Sequence, residues 1–127
     1  MLRHPVATDH APAAIGPYSQ AMICGRLLFT SGQIPLDPAT GMLVTGDIAA
    51  QARRVFDNLH AVCAAASADF SQVVRVGIYL VDLADFATVN AVMAEYFNPP
   101  YPARSTIGVA ALPKGARIEI DLVVALD

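Results

Sequence analysis

Two carboxylates, Glu119 and Asp121, stand two residues apart in a segment whose even positions are all aliphatic. On an extended chain such a pair shares one face, with Cα atoms about 6.6–7 Å apart. That spacing can serve acid–base work, and the carboxylates of inverting glycosidases use it. The same alternation is also the ordinary pattern of a half-exposed strand, with Arg117 as a partial counter-charge, and spacing alone favours this plainer reading. Arg104 follows Pro102 and Ala103 and opens an extended segment with Ser105, Thr106 and Ile107. A guanidinium on a proline-stiffened approach suits a forked pair of hydrogen bonds to a carboxylate, and an exposed arginine at a strand start is the common alternative. Asn90 falls within the apolar stripe of a helical pattern. Its amide needs hydrogen-bond partners there, so it either anchors a neighbouring loop, the favoured role, or faces a ligand. Two segments, 16–20 with Tyr18 and 30–33 with Ser31 and Gly32, place small or hydroxylated residues at strand ends, where backbone can approach a small ligand closely.

Other chemistries lack their residues. There is no glycine-rich phosphate loop, and Thr30-Ser31-Gly32-Gln33 is not a nucleophile elbow. His4, His10 and His60 show no ligand spacing, and neither Cys24 nor Cys63 has a suitably spaced Cys or His, so no metal site is expected. His60 lies mid-helix beside an apolar stripe and reads as structural or solvated. The formal charge of −3, with eight basic residues scattered along the chain, argues against nucleic-acid and anionic-membrane surfaces. No apolar run approaches a membrane span, residues 1–10 carry no apolar signal segment, and the two cysteines read as buried, reduced thiols. A cytoplasmic protein is expected.

The elements that must position these residues follow from periodicity. The 127 residues form one domain without repeat or linker, long enough to bury roughly two-thirds of the unfolded surface. Strands are expected over 18–24 and 27–31, joined by a Gly25-Arg26 hairpin turn. The segment 35–41 is dense in turn formers and reads as a loop. Asp47 should cap a helix running to about residue 66, with Ile48, Ala52, Val55, Phe56, Leu59, Val62, Cys63 and Ala66 on one face. Residues 73–81 read as a strand with Val74, Val76, Ile78 and Leu80 facing the core. A second helix, from 82 or 85 to 97, should bury Phe86, Val89, Met93, Tyr96 and Phe97, and the proline-rich segment 98–102 must end it. The last strand alternates, with Ile118, Ile120, Leu122, Val124 and Leu126 inward and Arg117, Glu119 and Asp121 outward. The expected class is α+β, a mixed and largely antiparallel sheet with two helices on one face. Only 15% of residues are charged, against a usual ~25%, so a partner surface is expected, most simply a homo-oligomer.

Several motifs together resemble one family. The run from Ala11 through Gly16-Pro17-Tyr18-Ser19-Gln20 is similar to the N-terminal motif of the RidA (YjgF-type) imine deaminases. So are Thr30-Ser31-Gly32-Gln33-Ile34-Pro35, Asp82-Leu83 with Asp85-Phe86 and Val89-Asn90, Pro102-Ala103-Arg104-Ser105, and Leu112-Pro113-Lys114-Gly115-Ala116 to Glu119-Ile120. The resemblance spans essentially the whole chain, in order. It implies a chorismate-mutase-like fold, a homotrimer with intersubunit sites, and cofactor-independent hydrolysis of 2-imino acids such as 2-iminobutanoate and 2-iminopropanoate. It implies that Arg104 holds the substrate carboxylate and Glu119 activates water, with Tyr18, Ser31, Gly32, Asn90 and Thr106 lining the pocket. Thr106 stands where the family commonly has cysteine; threonine loses the thiol and keeps the backbone N–H. Tyr101 stands where many members have phenylalanine. The chemistry fits, because a protonated C=N carbon needs an oriented carboxylate, a placed water and a proton acceptor, and no strong nucleophile. Two rival functions remain: a non-catalytic module of the same fold that binds small carboxylates or acts as a chaperone, and a ribonuclease, against which the missing basic stripe weighs.

Overall fold

A computed structural model describes residues 2–127. Six strands, β1 (Arg3–Val6), β2 (Ala21–Cys24), β3 (Leu27–Thr30), β4 (Val73–Leu80), β5 (Ala103–Gly108) and β6 (Ile118–Ala125), form one sheet in the order β1-β2-β3-β6-β4-β5. The helices α1 (Ile48–Ala65) and α2 (Phe86–Tyr96) pack on one face of it. Every neighbouring pair is antiparallel except β4 and β5, which the α2 crossover makes parallel. This is the expected α+β architecture.

Local chemistry explains the helices. Asp47 is extended and its carboxylate accepts from the Ala50 N–H at 2.9 Å, satisfying a donor that the first turn of α1 leaves open. The apolar stripe of α1 is buried as its spacing predicts, apart from Ala66, which is half-buried against the core. One polar residue joins the stripe. Asn58 is fully buried, donates to the Leu36 carbonyl at 2.9 Å and accepts from Arg54 at 3.1 Å, fastening the loop before α1 to the helix. Ahead of α2, Asp82 accepts from the Ala84 N–H at 2.9 Å and starts a 3₁₀ turn, Leu83–Asp85. The helix stops at Tyr96, three residues short of Pro99. Stacked rings, Phe56 on Tyr96 and Phe70 on Phe97, hold the two helices and the turn after α1 together.

Three local expectations are corrected, and one strand is added. The buried stripe of α2 is Val89, Val92 and Met93, continued by Phe97; Phe86 is exposed and Tyr96 half-buried. On β4 a bulge between Val73 and Arg75 turns Val73 inward and leaves Val74 exposed; an extra residue shifts every preceding side chain to the other face. The first hairpin strand begins at Ala21, not at residue 18, because the Tyr18 N–H bonds the Gly16 carbonyl at 2.8 Å and curls the chain at Pro17. Arg3–Val6 adds an edge strand that the sequence pattern did not announce. The Gly25-Arg26 turn is as expected, with Gly25 at φ 62°.

Cys63 is buried in the core, and desolvation pushes its thiol up to about 12. Cys24 is half-buried and not joined to it. Among the described residues no helix is long and apolar enough to cross a membrane.

Candidate functional site

The alternation of β6 puts Ile118, Ile120, Leu122 and Val124 against the helices and delivers Glu119 and Asp121 to the opposite, open face. Each carboxylate lies over a glycine on a different side of the strand. Gln33 pairs with Ile120 through two backbone hydrogen bonds, 2.8 and 3.0 Å, which draws Gly32 against Glu119. A Cβ on Gly32 would collide with the Glu119 carboxylate, standing 2.7 Å from its Cδ. Across β4, Gly77 lies opposite Asp121, and a Cβ there would strike the Asp121 carboxylate and approach the Tyr79 hydroxyl at 3.1 Å. Tyr79, opposite Glu119 in register, reaches diagonally and donates to Asp121 Oδ2 at 2.9 Å.

Glu119 is half-buried. Desolvation raises its carboxyl above the ordinary value, and the charge of Asp121 adds to the shift. Arg117 does not answer that charge. Its guanidinium turns away to Asp85, 3.2 Å distant, correcting the expectation of a partial counter-charge beside the two carboxylates. Glu119 opens into a groove of about 700 Å³, lined among others by Tyr18, Ser31, Gly32, Ile34, Leu36 and Lys114. The walls are held by backbone-directed bonds. The Ser31 hydroxyl donates to the Ser19 carbonyl at 2.6 Å, and the buried Gln20 amide donates to the Pro12 carbonyl at 2.8 Å while accepting from the Thr8 N–H at 2.7 Å.

Arg104 belongs to another place. It pairs in register with Val76, and Thr106 with Ile78, both buried under the helices, so Arg104 and Thr106 project on the helix side of the sheet. Their neighbours agree. The Arg104 guanidinium donates to Asn90 Oδ1, lies 3.7 Å from Met93 Sδ and sits over the Phe86 ring, 5.3 Å from its centroid. Asn90 is exposed and anchors this arginine, not a loop. A second groove, of about 490 Å³, is lined by Asn90, Met93, Ala94, Tyr101, Pro102 and Arg104. Thr106 lines neither groove, and its Oγ1 is buried without a hydrogen-bond partner among the described residues.

The seven candidate residues therefore divide. Tyr18, Ser31, Gly32 and Glu119 meet in one groove; Asn90 and Arg104 meet in the other, with Thr106 two residues along the same strand face. The sheet itself separates the two sets within one chain. Sequence spacing missed Gly77 and Tyr79 because they touch Asp121 only across strands. It also did not single out Lys114, which stood only within the motif Leu112-Pro113-Lys114-Gly115-Ala116 and which the structure places on the groove wall at φ 58°. Among the described residues no group of His, Cys, Asp and Glu could hold a metal ion.

Comparison with known proteins adds four similarities. Residues 8–126 match the family model described as Endoribonuclease L-PSP. The chain is 55% identical over 125 residues to Protein DfrA of Myxococcus xanthus, covering 97% of this chain and 95% of that one. It is 46% identical over 123 residues to the human 2-iminobutanoate/2-iminopropanoate deaminase, covering 97% and 90%. Among solved structures, RidA from an Antarctic Psychrobacter superposes with a TM-score of 0.93 at 44% identity, covering 97% and 99% of the two chains.

Proposed function

The chain belongs to the RidA (YjgF-type) family, and from that premise we propose that it hydrolyses 2-imino acids, of the 2-iminobutanoate and 2-iminopropanoate kind, to 2-oxo acids and ammonia. One observation carries the reading. Arg104 and Glu119 are both present, each in a formed half-site, and the halves lie on opposite faces of the sheet. A single substrate can meet both only where a second copy brings its Arg104 to the Glu119 groove. A ring of three copies, the assembly the resemblance implies, repeats that contact three times. The open face suits such cover, since Phe29 and Ile107 are exposed on it beside the carboxylates.

In the proposed reaction the Arg104 guanidinium, presented by Asn90, forks the substrate carboxylate and fixes the adjacent C=N carbon. Tyr18, Ser31 and Gly32 line the groove around that carbon. Water adds to the carbon of the protonated imine while Glu119 takes one of the water's protons. The product is a neutral carbinolamine. Glu119 then returns the proton to nitrogen, the C–N bond breaks with its electron pair leaving on ammonia, and as the carbonyl forms the hydroxyl proton passes through Glu119 to the departing ammonia. Iminium and water thus become oxo acid and ammonium. The steps need no nucleophilic side chain and no cofactor.

The test generates 2-iminobutanoate with a threonine dehydratase in the presence of semicarbazide, which traps the imine competitively. The protein should lower the trapped fraction in proportion to its concentration. Binding of 2-oxobutanoate with no effect on the trapped fraction would make the chain a carboxylate-binding module and overturn the enzymatic reading.

A further inference from the structure

Asp121 takes no part in the reaction as derived, yet its surroundings are built around it. Gly77 leaves the space its carboxylate occupies, and the Tyr79 hydroxyl fixes Oδ2 at 2.9 Å. That bond raises the Tyr79 phenol above its ordinary value, so Tyr79 keeps its proton and remains a donor. Asp121 thus holds one orientation, on the same strand face as Glu119 and two residues away.

We propose that Asp121, pinned by Tyr79 over Gly77, is a positioning residue for Glu119, whose fixed negative charge makes the neighbouring carboxylate a stronger proton acceptor toward the attacking water. The inference rests on the deaminase reading, in which Glu119 accepts that proton. Among the described residues, every other charged or titratable group facing Glu119 is engaged elsewhere or lacks a fixed negative charge. On β6, Arg117 turns to Asp85. On β4, Tyr79 serves Asp121, and Arg75 donates to the Ser105 hydroxyl at 3.1 Å. In the groove, Lys114 Nζ donates to the Gly41 carbonyl at 3.3 Å, and Tyr18 presents a phenol. In the assembled site the partner's Arg104 adds a positive charge, bound to the substrate carboxylate. A base that is harder to keep ionised is a better proton acceptor, provided it is still ionised at working pH.

The composition makes a direct test simple, because the chain has only two glutamates, Glu95 and Glu119. Glu95 pairs with Arg53 at 2.8 Å, and that hydrogen bond holds its carboxyl below the ordinary value, on the opposite side from Glu119. With carboxyl-¹³C glutamate, the Glu119 signal should titrate at higher pH than that of Glu95, which serves as the internal control. In Asp121→Asn the Glu119 signal should titrate at lower pH than in the wild type while Glu95 stays in place. The acid limb of kcat/KM should move the same way, and plateau kcat should fall roughly two- to threefold, the loss expected of a weakened base. Asp121→Ser repeats the measurement with a smaller neutral side chain should the amide disturb folding. If either folded variant loses activity but leaves the Glu119 titration and the acid limb where they were, Asp121 is merely structural and the inference is wrong. If the wild type fails to turn over 2-imino acids, the deaminase reading falls by itself. The ¹³C titration would still report whether Asp121 acts on Glu119.

Discussion

Glu119 stands on an inner strand, half-buried, steered by a glycine on one side and a fixed carboxylate on the other, whereas Arg104 stands on the edge strand β5, exposed and steered by α2. The difference follows from what each group does in the proposed reaction. A proton acceptor gains from desolvation, which raises its affinity for the proton. An arginine that captures an anion keeps its charge under any surroundings, so it can wait in solvent. The half that needs tuning is built inside one chain, and the half that needs only orientation is offered at an edge.

Substitutions on the Glu119 side should therefore strike turnover hardest. Glu119→Gln keeps the shape and cannot take a proton. Its kcat should fall by about 10³, within the range for losing a general base, with 2-oxobutanoate binding near normal by calorimetry. Normal turnover would remove Glu119 from the mechanism. On the other side, Arg104→Ala should lower kcat/KM by about 10², on the order of 3 kcal/mol for a charge-assisted bond, and should weaken oxo-acid binding as well. Arg104→Lys should recover only part, because an ammonium cannot fork a carboxylate. Unchanged oxo-acid affinity in Arg104→Ala would show that the arginine binds something else.

A smaller effect separates position from chemistry. Gly32→Ala should push the Glu119 carboxylate aside, and since that is the free end of a flexible side chain, the melting temperature should hardly move. The kcat should still fall about tenfold, in keeping with the cost of a misplaced catalytic group. A loss of stability matching the loss of rate would mean that Gly32 serves folding instead. The smallest expected effect is none. Cys63 is buried, its thiol pushed up to about 12, and Thr106 replaces the thiol common in the family, so iodoacetamide should leave turnover intact over hours. Fast inactivation with substrate protection would contradict this.

The long elements were legible because their burial follows one period without interruption. The α1 stripe runs over eighteen residues behind an aspartate cap, and β6 alternates from end to end. What escaped the sequence depended on neighbours distant along the chain. Val73 and Val74 are both aliphatic, so nothing in their order shows that a bulge will bury one and expose the other. Arg3–Val6 contains Pro5 and exposes three of its four residues, leaving no hydrophobic alternation to read. At the site, residue types and motif order put Arg104 and Glu119 forward as candidates, but their placement on opposite faces depends on the register of β5 with β4 and of β4 with β6. Gly32 and Gly77 matter for the volume they leave to a carboxylate on another strand, which spacing along one segment cannot express.

The central claim, that one site draws its arginine and its glutamate from different copies, can be tested by mixing two inactive variants. Glu119→Gln and Arg104→Ala are unfolded together in equal amounts, refolded and assayed by semicarbazide competition. If neighbouring copies complete each other's sites, about a quarter of the sites in randomly assembled closed rings regain both native residues, and activity should return to about that fraction of the wild type. If the mixture remains as inactive as its two components while assembling normally, Arg104 and Glu119 do not meet across a subunit boundary and the account is wrong.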